Sequence, residues 1–311
     1  MHAATSRQIG LIFGKFYPLH CGHIYMIEEA CSQVDELHIM LGCESIRDLK
    51  LFEESHMPKQ PQVIDRLNWL QETFRHRPSI HIHVLDETGI EPYPNGWLDW
   101  STRVKTILIE KRIIPTVIFT SESNDVDLHQ RYFNCAVKLV DKNRDYINIS
   151  ATQIRQAPYQ HWQYIAKVAQ PFFVKRICIL NDDRASNLAQ QFANIYNTVF
   201  VNSRNNHYFD DKYDSYSHLW QKQDFIQFAL SYGQRLNEAS QNANRYLFSD
   251  LNFVKLQAYF EQKFGYQHLL LNELNRHYCF DITIDMQQFS KSIQKTNSFS
   301  TCMKMINEHL C

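Results

Sequence analysis

The sequence is poor in glycine: eight occur in 311 residues, and only Gly233 and Gly265 follow Gly96. A loop that cradles phosphate needs glycines so that successive backbone N–H groups converge on one anion, so such a loop is confined to the part of the chain before Gly96. Proline is equally one-sided, with all nine at or before Pro171. Cysteine occurs eight times but never as a C-x-x-C pair, which argues against a zinc ribbon or a thioredoxin-type site and points to free thiols in a reducing compartment. With a formal net charge of −1, no global basic field draws in nucleic acid. No apolar run reaches the roughly 20 residues that a helix needs to cross a bilayer, and "MHAATSRQ" has no apolar signal-peptide core. These absences predict a soluble cytoplasmic protein with no membrane partner.

Hydrophobic residues make up 44% of the chain, enough for a packed core. "QIGLIF" (8–13) reads as a short buried strand. "HIYMIEEACSQV" (23–34) then sets Ile27, Ala30, Cys31 and Val34 on one helical stripe, and "ELHIML" (36–41) returns to strand. Such a unit builds a parallel sheet with a right-handed crossover. The alternation continues with a helix over 63–74, a strand over 80–85 in which Ile80, Ile82 and Val84 alternate with His81 and His83, a helix over 100–112 with Ser101 as candidate N-cap, and strands over 116–120 and 136–140. The fold class is α/β, an open doubly wound parallel sheet over about residues 8–157. A second, smaller α/β domain opens with a strand over 172–180 and a helix carrying Ala185, Leu188, Ala189 and Phe192 on one face. Further strands are expected over 198–201, 245–250 and 280–284, a long helix over 220–239 and a surface loop over 202–218. The expected domains are 1–170 and 171–311.

"GKFYPLHCGH" (14–23) links the first strand to the first helix. In open parallel sheets ligands bind at such strand ends, and a helix N-terminus suits phosphate. Gly14 and Gly22 permit close backbone approach, Pro18 stiffens the turn, and Lys15, His20 and His23 supply donors. A metal pair or a plain turn are the other readings. No nearby Cys, Asp or Glu completes a ligand set with His20 and His23, so no metal ligand is expected.

The stretch resembles the G-x-F-x-P-x-H-x-G-H signature of the H-x-G-H nucleotidyltransferase superfamily, and "ISATQIR" (149–155) resembles that superfamily's I-S-x-T-x-I-R segment. "ACSQVDELHIML" (30–41), "EPYPNGW" (91–97) and "YIAKVAQPFFVKRICIL" (164–180) are similar to the bacterial bifunctional family that joins nicotinamide-nucleotide adenylyltransferase to ribosylnicotinamide kinase. The similarity is dense over 8–180 and thin afterwards. It implies a Rossmann-like nucleotidyltransferase domain that makes NAD and pyrophosphate from ATP and nicotinamide mononucleotide, with Mg²⁺ carried by the ATP phosphates. It implies His20, His23, Lys15 and Arg155 as the groups on the phosphates. Phe13, Gly14, Phe16, Gly22, Thr120, Ser121, Glu122, Ile149, Ser150 and Thr152 would surround the nucleotide. Trp97 or Trp100 would stack on the nicotinamide ring, and Arg47 and Arg66 would reach the mononucleotide phosphate. For the tryptophans core packing competes with this role, and for the arginines a surface salt bridge does.

The resemblance weakens at the family's kinase loop, G-x-x-x-x-G-K-[ST]. Here the strand leads into "NDDRASNLAQQF" (181–192), with no glycine and no lysine, and Asp182 and Asp183 would repel phosphate. Asp250 sits at a Walker-B-like strand end, Asn252 replaces a second acid, and no arginine follows Arg276. The second domain is therefore expected to be a degenerate kinase-like domain without ribosylnicotinamide kinase activity, serving as scaffold of a homo-oligomer or as a regulatory nucleotide site. Only about eight residues precede "IGLIF", so the DNA-binding helices that some family members carry are not expected, nor is DNA as a partner. The competing functions are adenylyl transfer to another phosphorylated acceptor, such as pantetheine phosphate, and non-catalytic sensing of NAD or ATP.

Overall fold

Every strand of the first unit runs in the same direction. The computed structural model describes residues 7–180, 185–203, 220–286 and 299–310, and the chain divides into two units, Met1–Gln170 and Pro171–Cys311. In the first, strands β1 (Ile9–Gly14), β2 (Glu36–Cys43), β3 (Ile80–Asp86), β4 (Val117–Thr120) and β5 (Ala136–Leu139) form a parallel sheet in the order β3-β2-β1-β4-β5. Helices α1 (Cys21–Cys31), α2 (Ser45–Glu53), α3 (Val63–Thr73), α4 (Trp97–Lys111), α5 (Val126–Phe133) and α6 (Ala151–Gln156) connect and follow them. The chain steps outward from β1 to β3 and then returns to β4 on the other side of β1. The strand order therefore reverses between β1 and β4, and a crevice opens at their carboxyl ends. Leu11, Met40, Leu85, Val104, Leu108, Ile113 and Ile118 pack as one buried cluster between sheet and α4.

Local differences from the sequence reading have physical causes. α4 begins at Trp97 with Gly96 in the N-cap position, so Ser101 lies inside the helix, buried, with its Oγ donating to the Leu98 carbonyl. α1 ends at Cys31, which leaves Val34 beyond the helical stripe. β3 is an edge strand, and its inward residue is Leu85, while Val84 is 40% exposed. α2 and α5 escape a reading based on apolar periodicity because the residue each buries is polar, Asp48 in α2 and His129 in α5.

In the second unit, β6 (Lys175–Leu180), β7 (Val199–Val201), β8 (Tyr246–Ser249) and β9 (Ile282–Asp285) form a parallel sheet in the order β7-β8-β6-β9. The accompanying helices are α7 (Ala185–Ile195), α8 (Lys222–Asn242), α9 (Phe253–Phe264), α10 (Leu269–His277) and α11 (Phe299–Leu310). β6 starts later than expected, because Phe172 and Phe173 belong to a helical turn, Gln170–Phe173. Ala185, Ala189 and Phe192 form the buried face of α7. The expectations for Asn181, Asp182, Asp183 and the loop over 204–218 fall outside the described residues.

Candidate active site

The site starts where β1 gives way to α1. Phe16 takes a left-handed backbone conformation (φ 48°) that turns its ring back under Gly14. A Cβ on Gly14 would lie 2.9 Å from Phe16 Cζ, so the position has no room for a side chain. His20 is the N-cap of α1, and its Nδ1 accepts from the Gly22 amide at 3.1 Å. In the neutral ring the proton therefore sits on Nε2. The His20 and His23 rings stack with centroids 3.7 Å apart, and Phe16 meets His23 edge-on at 5.0 Å.

Both imidazoles are held neutral. Burial, reinforced by Arg144 and Arg155, pushes His20 down to about 3, and burial with the same arginines and His20 pushes His23 well below its ordinary value. His23 Nδ1 is buried with no hydrogen-bond partner among the described residues. The sign of the linkage follows. Unfolding restores both rings to ordinary values, so the unfolded chain binds more protons and these groups cost stability as pH falls below about 6.5. For His20 the loss continues to about pH 3. In an imidazole NMR titration neither ring should change state between pH 8 and 5, and a midpoint near 6.5 for either would contradict the burial argument.

Two cavities flank the histidines. The larger, about 350 Å³, is lined by Phe13, Gly14, Arg47, Trp97, Trp100 and Thr120 among the expected residues. The smaller, about 260 Å³, is lined by His20, Gly22, Ile149, Ser150, Thr152 and Arg155. His23, Ser121 and Glu122 line both. The larger cavity has an aromatic wall. Phe13 meets Trp100 edge-on at 4.7 Å and stacks on His129 at 5.3 Å, while Trp97 meets Trp100 at 5.1 Å. Trp100 is tied into this wall by Nε1, which donates to Glu87 Oε1 at 3.1 Å.

The smaller cavity is charged, with Arg144 and Arg155 facing it together with Glu122 and Asp141. Arg155 is fixed in place by donating from Nη1 to the Tyr17 carbonyl and from Nη2 to Thr152 Oγ1, both at 2.9 Å. Ser150 caps α6, and its Oγ accepts from the Gln153 amide at 3.2 Å while donating to Gln153 Oε1 at 2.9 Å. The Ser150 amide donates to the same Gln153 oxygen at 2.8 Å and closes the capping box. Sequence reasoning missed Arg144, which lines this cavity in a left-handed conformation (φ 57°) 3.6 Å from Glu122. It also missed Glu87 and His129 in the larger one. None of the three belongs to a periodic or motif pattern.

Three expected residues line neither cavity. Phe16 is buried beneath Gly14. Lys15 Nζ donates to Asp48 Oδ1 at 2.8 Å. Arg66 is 0% exposed, so it neither reaches into the cavity nor forms a surface bridge. Its guanidinium donates to the Lys15 carbonyl (2.8 Å), the Gly42 carbonyl (3.1 Å) and Asp48 Oδ2 (2.5 Å). Among the described residues no group of three or more His, Cys, Asp or Glu is arranged to hold a metal ion.

In the second unit, Asp250 accepts from the Ser186 hydroxyl and, at 2.7 Å, from the Ser203 amide. Asn252 caps α9 by accepting from the Lys255 amide at 2.8 Å.

Residues 11–157 match the family described as cytidylyltransferase-like. Two proteins named trifunctional NAD biosynthesis/regulator protein NadR, from Salmonella typhimurium and Escherichia coli, are each 41% identical over 280 residues, covering 89% of this chain and 68% of theirs. A nicotinamide-nucleotide adenylyltransferase from Thermococcus onnurineus is 28% identical over 179 residues, 54% of this chain and 82% of that protein. A crystal structure of NadR protein in complex with NR superimposes with a TM-score of 0.72 at 20% identity, covering 90% of this chain and 78% of that one, and shows the same fold.

Proposed function

Because the chain belongs to the NadR family, we propose that its first unit transfers the adenylyl group of ATP to nicotinamide mononucleotide. The observation that carries this reading is the stacked, neutral pair His20 and His23 at the switch point of a parallel sheet, with His23 facing both an aromatic cavity and one that holds two arginines. The smaller cavity takes the triphosphate on Arg155, Arg144 and the α6 entry. Thr120, Ser121 and Glu122 take the adenosine side, and the larger cavity takes the nicotinamide end against its aromatic wall.

An oxygen of the mononucleotide phosphate attacks the α-phosphorus of ATP. The bond to the β-phosphate breaks, and pyrophosphate leaves with the electron pair. The acceptor supplies its own nucleophile, so the protein's work is alignment and charge stabilisation. His20 Nε2–H donates to a phosphoryl oxygen because its Nδ1 is already satisfied by Gly22. His23, nearest the α-phosphate, does the same as charge moves toward the leaving group. The Mg²⁺ enters as part of the ATP substrate, where it neutralises phosphate charge. Arg47, held by Glu44 and the Glu87 carbonyl, faces the acceptor's phosphate.

The test is a panel of phosphorylated acceptors with ATP, reading pyrophosphate release. Nicotinamide mononucleotide is expected to be the preferred acceptor. Faster release with pantetheine phosphate would contradict the assignment of the aromatic cavity.

The second unit, in this proposal, has no kinase activity toward nicotinamide riboside. Supporting this, residues 181–192 contain neither glycine nor lysine, Asn252 is spent as a helix cap, and both Asp250 oxygens are engaged within the unit. Purified protein with ATP and nicotinamide riboside should yield no nicotinamide mononucleotide above a no-enzyme control. Sustained formation of that product would overturn this part.

A further inference from the structure

Asp48 lies outside every motif of the sequence, yet it is buried and joins four segments close to Arg47 and Glu87, which line the larger cavity. Its Oδ1 takes the Lys15 ammonium at 2.8 Å, and its Oδ2 takes the guanidinium of Arg66 at 2.5 Å and the Glu44 amide at 3.4 Å. Arg66 in turn grips the carbonyls of Lys15 and Gly42, so the loop after β1, the end of β2, the start of α2 and helix α3 meet at one carboxylate. Lys15 is thereby set beside Glu87, its Nζ 3.7 Å from Oε2, and Arg47 approaches the same oxygen at 3.6 Å. Both separations are longer than a close charge-assisted hydrogen bond. Two cations therefore converge on the Glu87 carboxylate, and Glu87 and Arg47 both line the larger cavity.

We infer that Asp48 is a positioning residue for Lys15. Anchored by Arg66, it stations the ammonium next to Arg47 so that the pair meets the phosphate of the acceptor nucleotide. The inference rests on the proposed reading of the larger cavity as the acceptor site. Arg66 is neutralised by the same carboxylate, which is why a residue inside the fold controls a group at its edge. Asp48 touches no substrate; it acts through Lys15.

A double-mutant cycle separates this role from a purely structural one. Wild type, Asp48→Asn, Lys15→Met and the double variant are compared by calorimetric titration with nicotinamide mononucleotide and by turnover. Each single variant is expected to weaken acceptor binding about tenfold while the KM for ATP moves less than twofold. The double variant should bind no more weakly than Lys15→Met alone. Asp48→Glu, which keeps the charge, should recover part of the loss. Additive losses, or an Asp48→Asn protein that binds like wild type, would overturn the inference. If Asp48→Asn does not fold, the cycle is run with Asp48→Asn in an Arg66→Met background, which removes both members of the buried pair together, with the same two outcomes. Binding without turnover in wild type would sink only the proposed activity. No binding by wild type would sink both.

Discussion

Alanine at His23 is expected to lower kcat for NAD formation by about 100- to 1,000-fold, the cost of removing one preorganised donor from a developing oxyanion. The magnitude follows from how the ring is held. It is stacked on His20, backed edge-on by Phe16, and half-buried with Nδ1 turned away from solvent. A donor held there needs no reorganisation when charge moves onto the leaving pyrophosphate. The KM for nicotinamide mononucleotide should change much less, because the proposed acceptor contacts are the aromatic wall and Arg47, which also line the larger cavity. The fold should tolerate the change, since His23 Nδ1 makes no hydrogen bond whose loss would leave a partner stranded. His20→Ala should be less clean: the same kind of rate loss is accompanied by the roughly 1 kcal/mol typical of a lost N-cap, because His20 Nδ1 caps α1. Steady-state kinetics and a thermal melt on both variants check this. Wild-type kcat in His23→Ala would contradict it.

The largest effect on stability belongs to Arg66. Arg66→Ala leaves Asp48, a carboxylate that is 4% exposed, with the Lys15 ammonium alone, and breaking a buried ion pair from one side costs about 3–5 kcal/mol. The carbonyls of Lys15 and Gly42 lose their donor at the same time. For a unit of this size the loss corresponds to roughly 10 °C in Tm. Calorimetry of the variant should show this drop, whereas Arg66→Met combined with Asp48→Asn should recover much of it. A single-variant Tm within 2 °C of wild type, roughly 1 kcal/mol or less, would show that the pair is not under load.

The apolar skeleton of the first unit was legible because its strands are short hydrophobic runs and its main helices bury apolar stripes. The loop from Gly14 to His23 was legible for a different reason: glycines, a proline and two histidines between a strand and a helix have few uses, and the structure gathers His20, His23, Ser150 and Arg155 around one cavity, with His23 extending into the next. Polar residues that face inward were not legible. Asp48, Arg66 and His129 are all under 5% exposed, and hydrophobic patterning assigns such residues to the surface. α2 and α5, whose buried faces consist of those polar residues, went unseen with them. Lys15 shows the converse limit. Its place in the motif suggested phosphate, and only the geometry shows the carboxylates of Asp48 and Glu87 that stand around it.

The most direct measurement is the product balance of the purified chain incubated with ATP, Mg²⁺ and nicotinamide mononucleotide, with His23→Ala run in parallel. The account predicts NAD and pyrophosphate in equal amounts from wild type and at least a 100-fold slower appearance of both from the variant, in line with the donor loss above. Pyrophosphate without NAD, no product from wild type, or equal rates from the two proteins would contradict it.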